Sequence, residues 1–367
     1  MTKIEEVAAK LMRVRELLKA KNMEGVLLTK RGNFAWLTAG GDNHVVSAGE
    51  GGVASLLVTP DRAWLLTDNI ESPRIQTEEL AGLGFEPFIV DWYAGGREAA
   101  ITKKAAGMKL GSDMPFAGAA VMEGEIARLR WSLLAPEISR YQWLGQACAR
   151  AMTETCREIR PQMSEFQVGA EVSARLMGVG VEPHVVLVAA DERIGKYRHP
   201  IPTENKVGKC CMVVICGQRW GLVLSMTRLV HFGPIPEELK RRHQAVARID
   251  AEIIAATKPG LTAGKLFSVI KRAYAEEGFP EEWKLHHQGG ATGYAGRDWK
   301  ASREDDPTPV VENQAYAWNP SITGTKSEDT IIVGSKDIGI LSATPELPAI
   351  TIQTAAGPIK RAEILVV

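Results

Sequence analysis

The sequence contains no apolar run of about 18 residues, the length a membrane-crossing helix requires. A helical membrane span is therefore excluded. Neither charge is in surplus: Lys+Arg and Asp+Glu each number 44, and the pI is near 7.1. No Lys/Arg block stands out either. Nothing supplies a sequence-independent grip on nucleic acid or an anionic membrane, so neither partner is expected. Cysteine is scarce, with only Cys148, Cys156, Cys210, Cys211 and Cys216. An odd count without C-x-x-C spacing argues against a disulfide framework and against a zinc site. Met1 to Lys21 is charged and amphipathic and lacks the apolar stretch of a secretion signal. Short repeats and low-complexity tracts are missing too. These absences lead to the expectation of a cytoplasmic protein, bacterial-type in its economy of loops.

What is present is ordinary globular material. The chain has 367 residues, 45% hydrophobic and 24% charged. That length allows one large domain or two of usual size, with a core that needs no staples. Ile4, Val7, Ala8, Leu11, Val14 and Leu18 recur at helical spacing and predict an amphipathic first helix. Short apolar strands are expected at Val26–Thr29, Val53–Val58, Ala63–Thr67 and Phe88–Val90, the middle pair joined through Thr59-Pro60-Asp61-Arg62. Strands alternating with helices suggest a small α/β domain over residues 1–137.

A seam falls at Leu134-Ala135-Pro136-Glu137, and residues 138–367 form the second expected domain. Helices are predicted over Ser139–Ile159, Glu165–Met177, Pro236–Ala256 and Ala263–Glu277, stopped by Pro161, Gly178, Pro259 and Gly278. Strands are predicted over Val185–Val188, Met212–Ile215, Leu222–Phe232, Ala315–Trp318, Thr330–Val333 and Ala362–Val367.

Polar groups concentrate in three segments: Lys196 to Pro200, Leu285 to Tyr294, and Asn319 to Thr330. Glycines beside histidines let a backbone approach a ligand closely. Adjacent residues on a strand point to opposite faces, so His286 and His287 are not expected to share a site if that segment is extended. His287 accordingly reads as structural.

The layout resembles the creatinase/aminopeptidase P family. The first helix, Gly25-Val26-Leu27-Leu28 and Asn33-Phe34-Ala35-Trp36-Leu37-Thr38 look like that family's N-terminal domain. Ser225-Met226-Thr227-Arg228, the Gly-rich segment after His286, Asn319-Pro320 and Glu328-Asp329-Thr330 follow its motif order and spacing. The resemblance covers essentially the whole chain. It implies an α/β (α+β) protein: a pita-bread C-terminal domain with a curved antiparallel sheet and flanking helices, and a smaller creatinase-type α/β N-terminal domain. It also implies a homodimer in which the partner's N-terminal domain lips the site, with Arg31, Asn33 and Trp36 as candidate contacts.

Peptidases of that family hold two metal ions through two Asp, one His and two Glu. The corresponding positions here are Cys216, Ser225, Gly290, Asn319 and Glu328, so only Glu328 is retained. One carboxylate cannot hold a dinuclear cluster of hard cations, and no metal or other cofactor is expected. The resemblance extends to the family's metal-free branch, typified by creatinase, in which a His acts as general acid/base. His199 matches that His, and Gly296-Arg297-Asp298 looks like creatinase's Gly-Arg-Glu. Creatinase keeps a Glu where this chain has Asn319.

The resulting expectation is a metal-independent hydrolase of a C–N bond in a small polar metabolite. His199 and Glu328 are the catalytic candidates; His286, Arg297, Asn319, Arg228 and Tyr294 are the substrate-binding candidates. Glu328, if buried, needs a cationic partner, for which Lys326, Arg228 and Arg297 are available. Cys216 is a conceivable nucleophile, though a Cys ending an apolar strand is more often inert core. Trp36, Trp220, Trp299 and Trp318 could wall a pocket, or belong to the core. Two alternatives stay open: a non-catalytic protein binding a small molecule or short peptide, and an Xaa-Pro-type metallopeptidase recruiting one metal through His199, His286 and Glu328.

Overall fold

The amphipathic start of the chain forms α1 (Lys3–Lys21), opened by a capping box in which Thr2 and Glu5 satisfy each other's backbone N–H. Val7, Val14 and Leu18 are its buried stripe. The structure, a computed structural model, describes residues 1–335 and 337–367. It divides into two units, Met1–Glu137 with Trp220–Leu222, and Ile138–Arg219 with Val223–Val367.

The first unit is built on β1 (Gly25–Lys30), β2 (Gly51–Val58), β3 (Ala63–Thr67), β4 (Glu86–Ile89), β5 (Leu110–Ser112) and β6 (Ala119–Val121). They form one mixed sheet in the order β4-β3-β2-β1-β5-β6. Val26, Leu27 and Leu28 are all buried, because the central strand is covered on both faces. Helices α2 (Arg31–Leu37), α3 (Ser72–Arg74), α4 (Gly96–Lys104) and α5 (Glu123–Leu129) complete the unit. Thr59 closes the β2–β3 turn by donating its N–H to Arg62 O at 3.0 Å, as the Thr-Pro-Asp-Arg chemistry leads one to expect. Asn33 and Trp36 are not surface groups. Asn33 is bonded to Asp113 and Arg130, and Trp36 is fully buried. Contacts across a dimer do not fit these two side chains.

The second unit repeats one pattern. Helices α6 (Ala135–Glu158) and α7 (Glu165–Gly178) lead into β7 (Glu182–Ala190), the short α8 (Glu192–Lys196), β8 (Cys210–Arg219) and β9 (Leu222–His231). Helices α9 (Glu237–Ala256) and α10 (Ala263–Glu276) lead into β10 (Gly289–Thr292), β11 (Trp299–Lys300) and β12 (Gln314–Trp318). A hairpin of β13 (Ser321–Ile322) and β14 (Thr325–Lys326) then precedes β15 (Asp329–Val333), β16 (Ile338–Ile340), β17 (Ala349–Thr354), β18 (Gly357–Ala362) and β19 (Leu365–Val366). Helix pair followed by antiparallel strands thus occurs twice.

The strands form a four-stranded sheet, β19-β9-β8-β7, and a five-stranded sheet, β11-β10-β12-β15-β16. Backbone and side-chain bonds stitch them together. Val223 N donates to Gly293 O at 2.8 Å, Thr227 N to Glu328 O at 3.2 Å, and Ser225 N to Thr330 Oγ1 at 2.8 Å. β8 and β9 are joined by Trp220 (φ 54°) and Gly221 (φ 77°), both left-handed, which suits a two-residue type I′ hairpin.

The core under the second sheet gathers Ile249, Ile253, Leu266, Ile270, Tyr316, Trp318 and Ile331. Each such side chain, fully buried, stabilises by about 1.5–3 kcal/mol. Trp318 belongs to this core and walls no pocket. Helix α6 starts earlier than the sequence suggests, at Ala135, because Pro136 is tolerated in a first helical turn. The expected final strand is two: Ala362 pairs with Ala349, whereas Leu365 pairs with Val230. The chain changes partner between them. No helix among the described residues is long and apolar enough to cross a membrane.

Candidate active site

The candidate groups all belong to the second unit, and both of its halves contribute. His199 lies in the β7–β8 connection, just after α8; Arg297 and Lys300 lie in the corresponding β10–β12 connection. His286 and His287 lead into β10 after a 3₁₀ turn, Glu282–Leu285. Cys216 on β8 and Ser225 on β9 sit side by side, Sγ to Oγ 3.1 Å. Asn319 follows β12. Lys326 ends the β13–β14 hairpin, and Glu328 bridges Thr227 immediately before β15.

Three imidazoles converge. His199 Nε2 and His286 Nε2 are 3.1 Å apart, a distance at which one ring donates to the other. His286 Nδ1 is 3.4 Å from Ser321 Oγ, which also accepts from Arg198 at 3.3 Å. Arg198 is anchored in turn by Glu282 and Thr323 at 2.7 and 2.9 Å. The rings of His286 and His287 stack at 4.5 Å, and that of His287 is 5.8 Å from His199. His199 is exposed and His286 is buried. Burial, then the Lys326 ammonium, hold His199 below its ordinary value despite Glu328, whose charge pulls the other way. Burial, followed by Lys300 and Arg297, pushes His287 down to about 4. Burial and the Lys326 charge push His286 lower still. All three rings are therefore neutral at pH 7.

Glu328 is 3% exposed. Its Oε2 accepts from Lys326 Nζ at 2.7 Å and from Thr227 Oγ1 at 2.6 Å, while Arg297 approaches Oε1 at 3.7 Å. Burial alone would raise its pKa, but the Lys326 and Arg297 charges outweigh it, so Glu328 stays a carboxylate. The Asn319 carbonyl oxygen and Arg297 Nε are buried with no hydrogen-bond partner among the described residues. Tyr294 is buried in this neighbourhood, 3% exposed.

The residues do not fit the dinuclear centre that the fold implies. Ser225 offers a neutral hydroxyl and Asn319 a neutral carbonyl. Burial raises the Cys216 thiol, and the Glu328 charge adds to it, so in the metal-free protein Cys216 is held as a neutral thiol. Glu328 is already engaged by an ammonium. Gly290 is closed to any side chain: a Cβ there would lie 2.0 Å from Trp299 O and 2.8 Å from Lys300 Cα. The close pairing of β10 with β11, Gly290 opposite Lys300, uses the space. Gly290→Ala is therefore expected to destabilise the protein by about 3 kcal/mol or more, because the obstruction is backbone and cannot rotate away. Urea unfolding with an unchanged midpoint would refute that closure.

Two expectations from the sequence are corrected. His287 does not face away from His286. A 3₁₀ turn precedes the pair, Gly289 (φ +95°) follows it, and the two rings stack with centroids 4.5 Å apart. The adjacent histidines flanked by turn and glycine residues were the available signal. Arg228 has no donor left over for a substrate. Its five N–H donors are spent on Thr344, Thr227 O, Glu328 O, Asp329 and Ser342 O, all buried. The nearest cation on the Glu328 carboxylate is Lys326, with Arg297 farther off, and Arg228 reaches only that residue's carbonyl.

A twofold-repeated αβ unit around stitched antiparallel sheets, with polar groups converging from both halves, defines a pita-bread protein. The chain belongs to the metallopeptidase family M24, whose model matches residues 140–335. It is 26% identical over 198 residues to an Xaa-Pro dipeptidase of Pyrococcus horikoshii, a match covering 51% of this chain and 56% of that protein. The chain thus spans about half the length of the curated relatives it matches. Among solved structures, an Xaa-Pro dipeptidase from Bacillus anthracis superposes with TM-score 0.79 at 19% identity, covering 98% of this chain and 100% of that one. The prolidase from Pyrococcus horikoshii OT3 gives 0.79 at 19% identity, covering 92% and 98%. These likenesses establish the fold; the chemistry has to come from the site.

Proposed function

We propose that this chain is a hydrolase cleaving a C–N bond in a short peptide or a similarly small polar amide, without the family's dinuclear metal centre. The observation that carries the reading is the His199–His286 contact, 3.1 Å between Nε2 atoms, within electrostatic reach of the Lys326–Glu328 pair. Membership of M24 and the likeness to Xaa-Pro dipeptidases support the bond type and make short proline-containing peptides the first substrates to try.

The chemistry follows from the charges. Neutral His199 accepts a proton from water as the oxygen adds to the carbonyl carbon. Negative charge develops on the carbonyl oxygen, and Arg297 and Lys326 are the cations available to oppose it. The imidazolium then returns its proton to the departing nitrogen, and the C–N bond breaks. His286, buried and hydrogen-bonded toward Ser321, holds the His199 ring in place. The Asn319 carbonyl oxygen accepts from a substrate N–H. A homodimer and a cytoplasmic setting remain part of this proposal on the family resemblance.

The test uses tag-free protein dialysed against a strong chelator, offered Xaa-Pro dipeptides and small amide and amidino compounds, with amine release as the readout. Turnover that survives chelation is expected. Activity appearing only after addition of manganese or cobalt would overturn the metal-free chemistry. Tight binding without turnover across the panel would make the chain a binding protein in a retained cleft.

A further inference from the structure

The geometry points to a second use of the same imidazoles: His199, His286 and His287 form a site for one borderline transition-metal ion, Zn²⁺ foremost, made of nitrogen donors that the family's own centre does not use. Each ring offers a nitrogen, and the three nitrogens lie within 4.8 Å of one another. In tetrahedral coordination with Zn–N of about 2.05 Å, two ligand nitrogens are about 3.3 Å apart. His199 Nε2 and His286 Nε2 stand at 3.1 Å, already at that spacing. The third nitrogen, within 4.8 Å of the others, must close in by up to about 1.5 Å to complete the set.

The surroundings suit ligation. His286 has an outer partner for its other nitrogen, Ser321 Oγ, of the kind that orients metal-binding imidazoles. His287 Nδ1 is buried with no hydrogen-bond partner among the described residues. An ion at this point would relieve a ring that hydrogen bonding leaves unsatisfied. Stacking on His286 fixes the His287 plane.

The charges around the site decide which ion. Lys326, Lys300 and Arg297 face these rings, and Glu328 opposes them only in part. A hard cation such as Mn²⁺ or Mg²⁺, which depends on anionic oxygens, gains little here. Zn²⁺, Ni²⁺ and Cu²⁺ bind imidazole more strongly and can tolerate a neutral donor set. The selectivity is thus the reverse of a carboxylate-rich peptidase centre. Occupancy also takes the His199 lone pair that proton transfer needs. This consequence rests on the function proposed above: Zn²⁺ binding and turnover exclude one another.

The experiment is calorimetric titration of chelator-stripped, tag-free protein with ZnCl₂ and separately with MnCl₂, alongside visible spectra on adding CoCl₂. A single Zn²⁺ per chain is expected, with Mn²⁺ at least 100-fold weaker and the intense visible absorption of four-coordinate Co²⁺. His199→Ala, whose exposed side chain the fold does not require, is expected to weaken Zn²⁺ at least 10-fold, and His287→Gln to do the same. Absence of Zn²⁺ binding, equal affinity for Mn²⁺, or binding untouched by His199→Ala would each overturn the site while leaving the hydrolase proposal standing. Zn²⁺ that binds and raises turnover would overturn the mutual exclusion, and the metal-free chemistry with it.

Discussion

Replacing His199 by alanine is expected to lower kcat by about 10²–10⁴-fold, the range a positioned proton-transfer group supplies. Substrate affinity should stay within a few-fold. The split follows from the geometry. His199 is exposed and contributes little to packing, whereas the groups assigned to hold substrate, Asn319 and Arg297, are on other segments. His199→Gln is the companion variant, because it keeps a hydrogen-bonding side chain but cannot take up a proton at neutral pH. Both variants should retain the wild-type urea midpoint. A kcat within threefold of wild type for both would remove His199 from the chemistry. A parallel loss of binding would assign it to substrate positioning.

The largest stability effect is expected at Arg361, which lies outside the family motifs in sequence but contacts one of them through Asp329. This guanidinium is 1% exposed and contacts Asp250 at 2.5 Å and Asp329 at 2.8 Å. Arg228 meets Asp329 from the other side at 2.9 Å. Two buried arginines thus balance two buried aspartates. Arg361→Met removes one cation and leaves Asp250, among the described residues, with the Ser327 hydroxyl at 2.6 Å as its hydrogen-bond partner. Breaking such a pair costs about 3–5 kcal/mol, because the Asp250 carboxyl, already pushed up to about 7 by burial, must then keep an uncompensated charge or take up a proton. Adding Asp250→Asn to Arg361→Met should recover part of the loss, since the stranded charge disappears. Chemical unfolding measures both, with an unchanged slope identifying a pure stability effect. A loss below about 1 kcal/mol for Arg361→Met would show the network to be dispensable. Asp329 follows Glu328 in the chain, so this network also holds the candidate carboxylate in register with Thr227.

Much of the architecture was legible because it rests on local signals. Helix stops at Gly178 and Gly278, strand runs such as Ala63–Thr67 and the Thr-Pro-Asp-Arg turn are set by residues near in sequence. The split of Ala362–Val367 into two strands was not legible. It depends on which distant strand, β17 or β9, offers free backbone groups. The same distinction holds at the site. That Cys216, Ser225, Gly290 and Asn319, the positions the family resemblance assigns to metal ligands, carry neither carboxylate nor imidazole is plain from residue identity alone, since no folding turns a glycine or an amide into an anionic ligand. That the His287 ring stacks on His286 was hidden, because the alternation of facing holds only within a regular strand and β10 begins at Gly289, after both histidines.

Arg228 shows the limit most clearly. From its position beside Thr227 it reads as a carboxylate binder, and chemically it could be one. Folding brings Thr344, Asp329 and Ser342 from elsewhere in the chain to consume its donors. Residue identity and order were enough for the family layout. Packing was needed to make Lys326 the ammonium on the Glu328 carboxylate, to wall in Gly290 with the β11 backbone, and to bring together three imidazoles from two halves. Composition and periodicity fix what a residue can do. The distances between charges and lone pairs, on which chemistry depends, exist once remote segments are packed together.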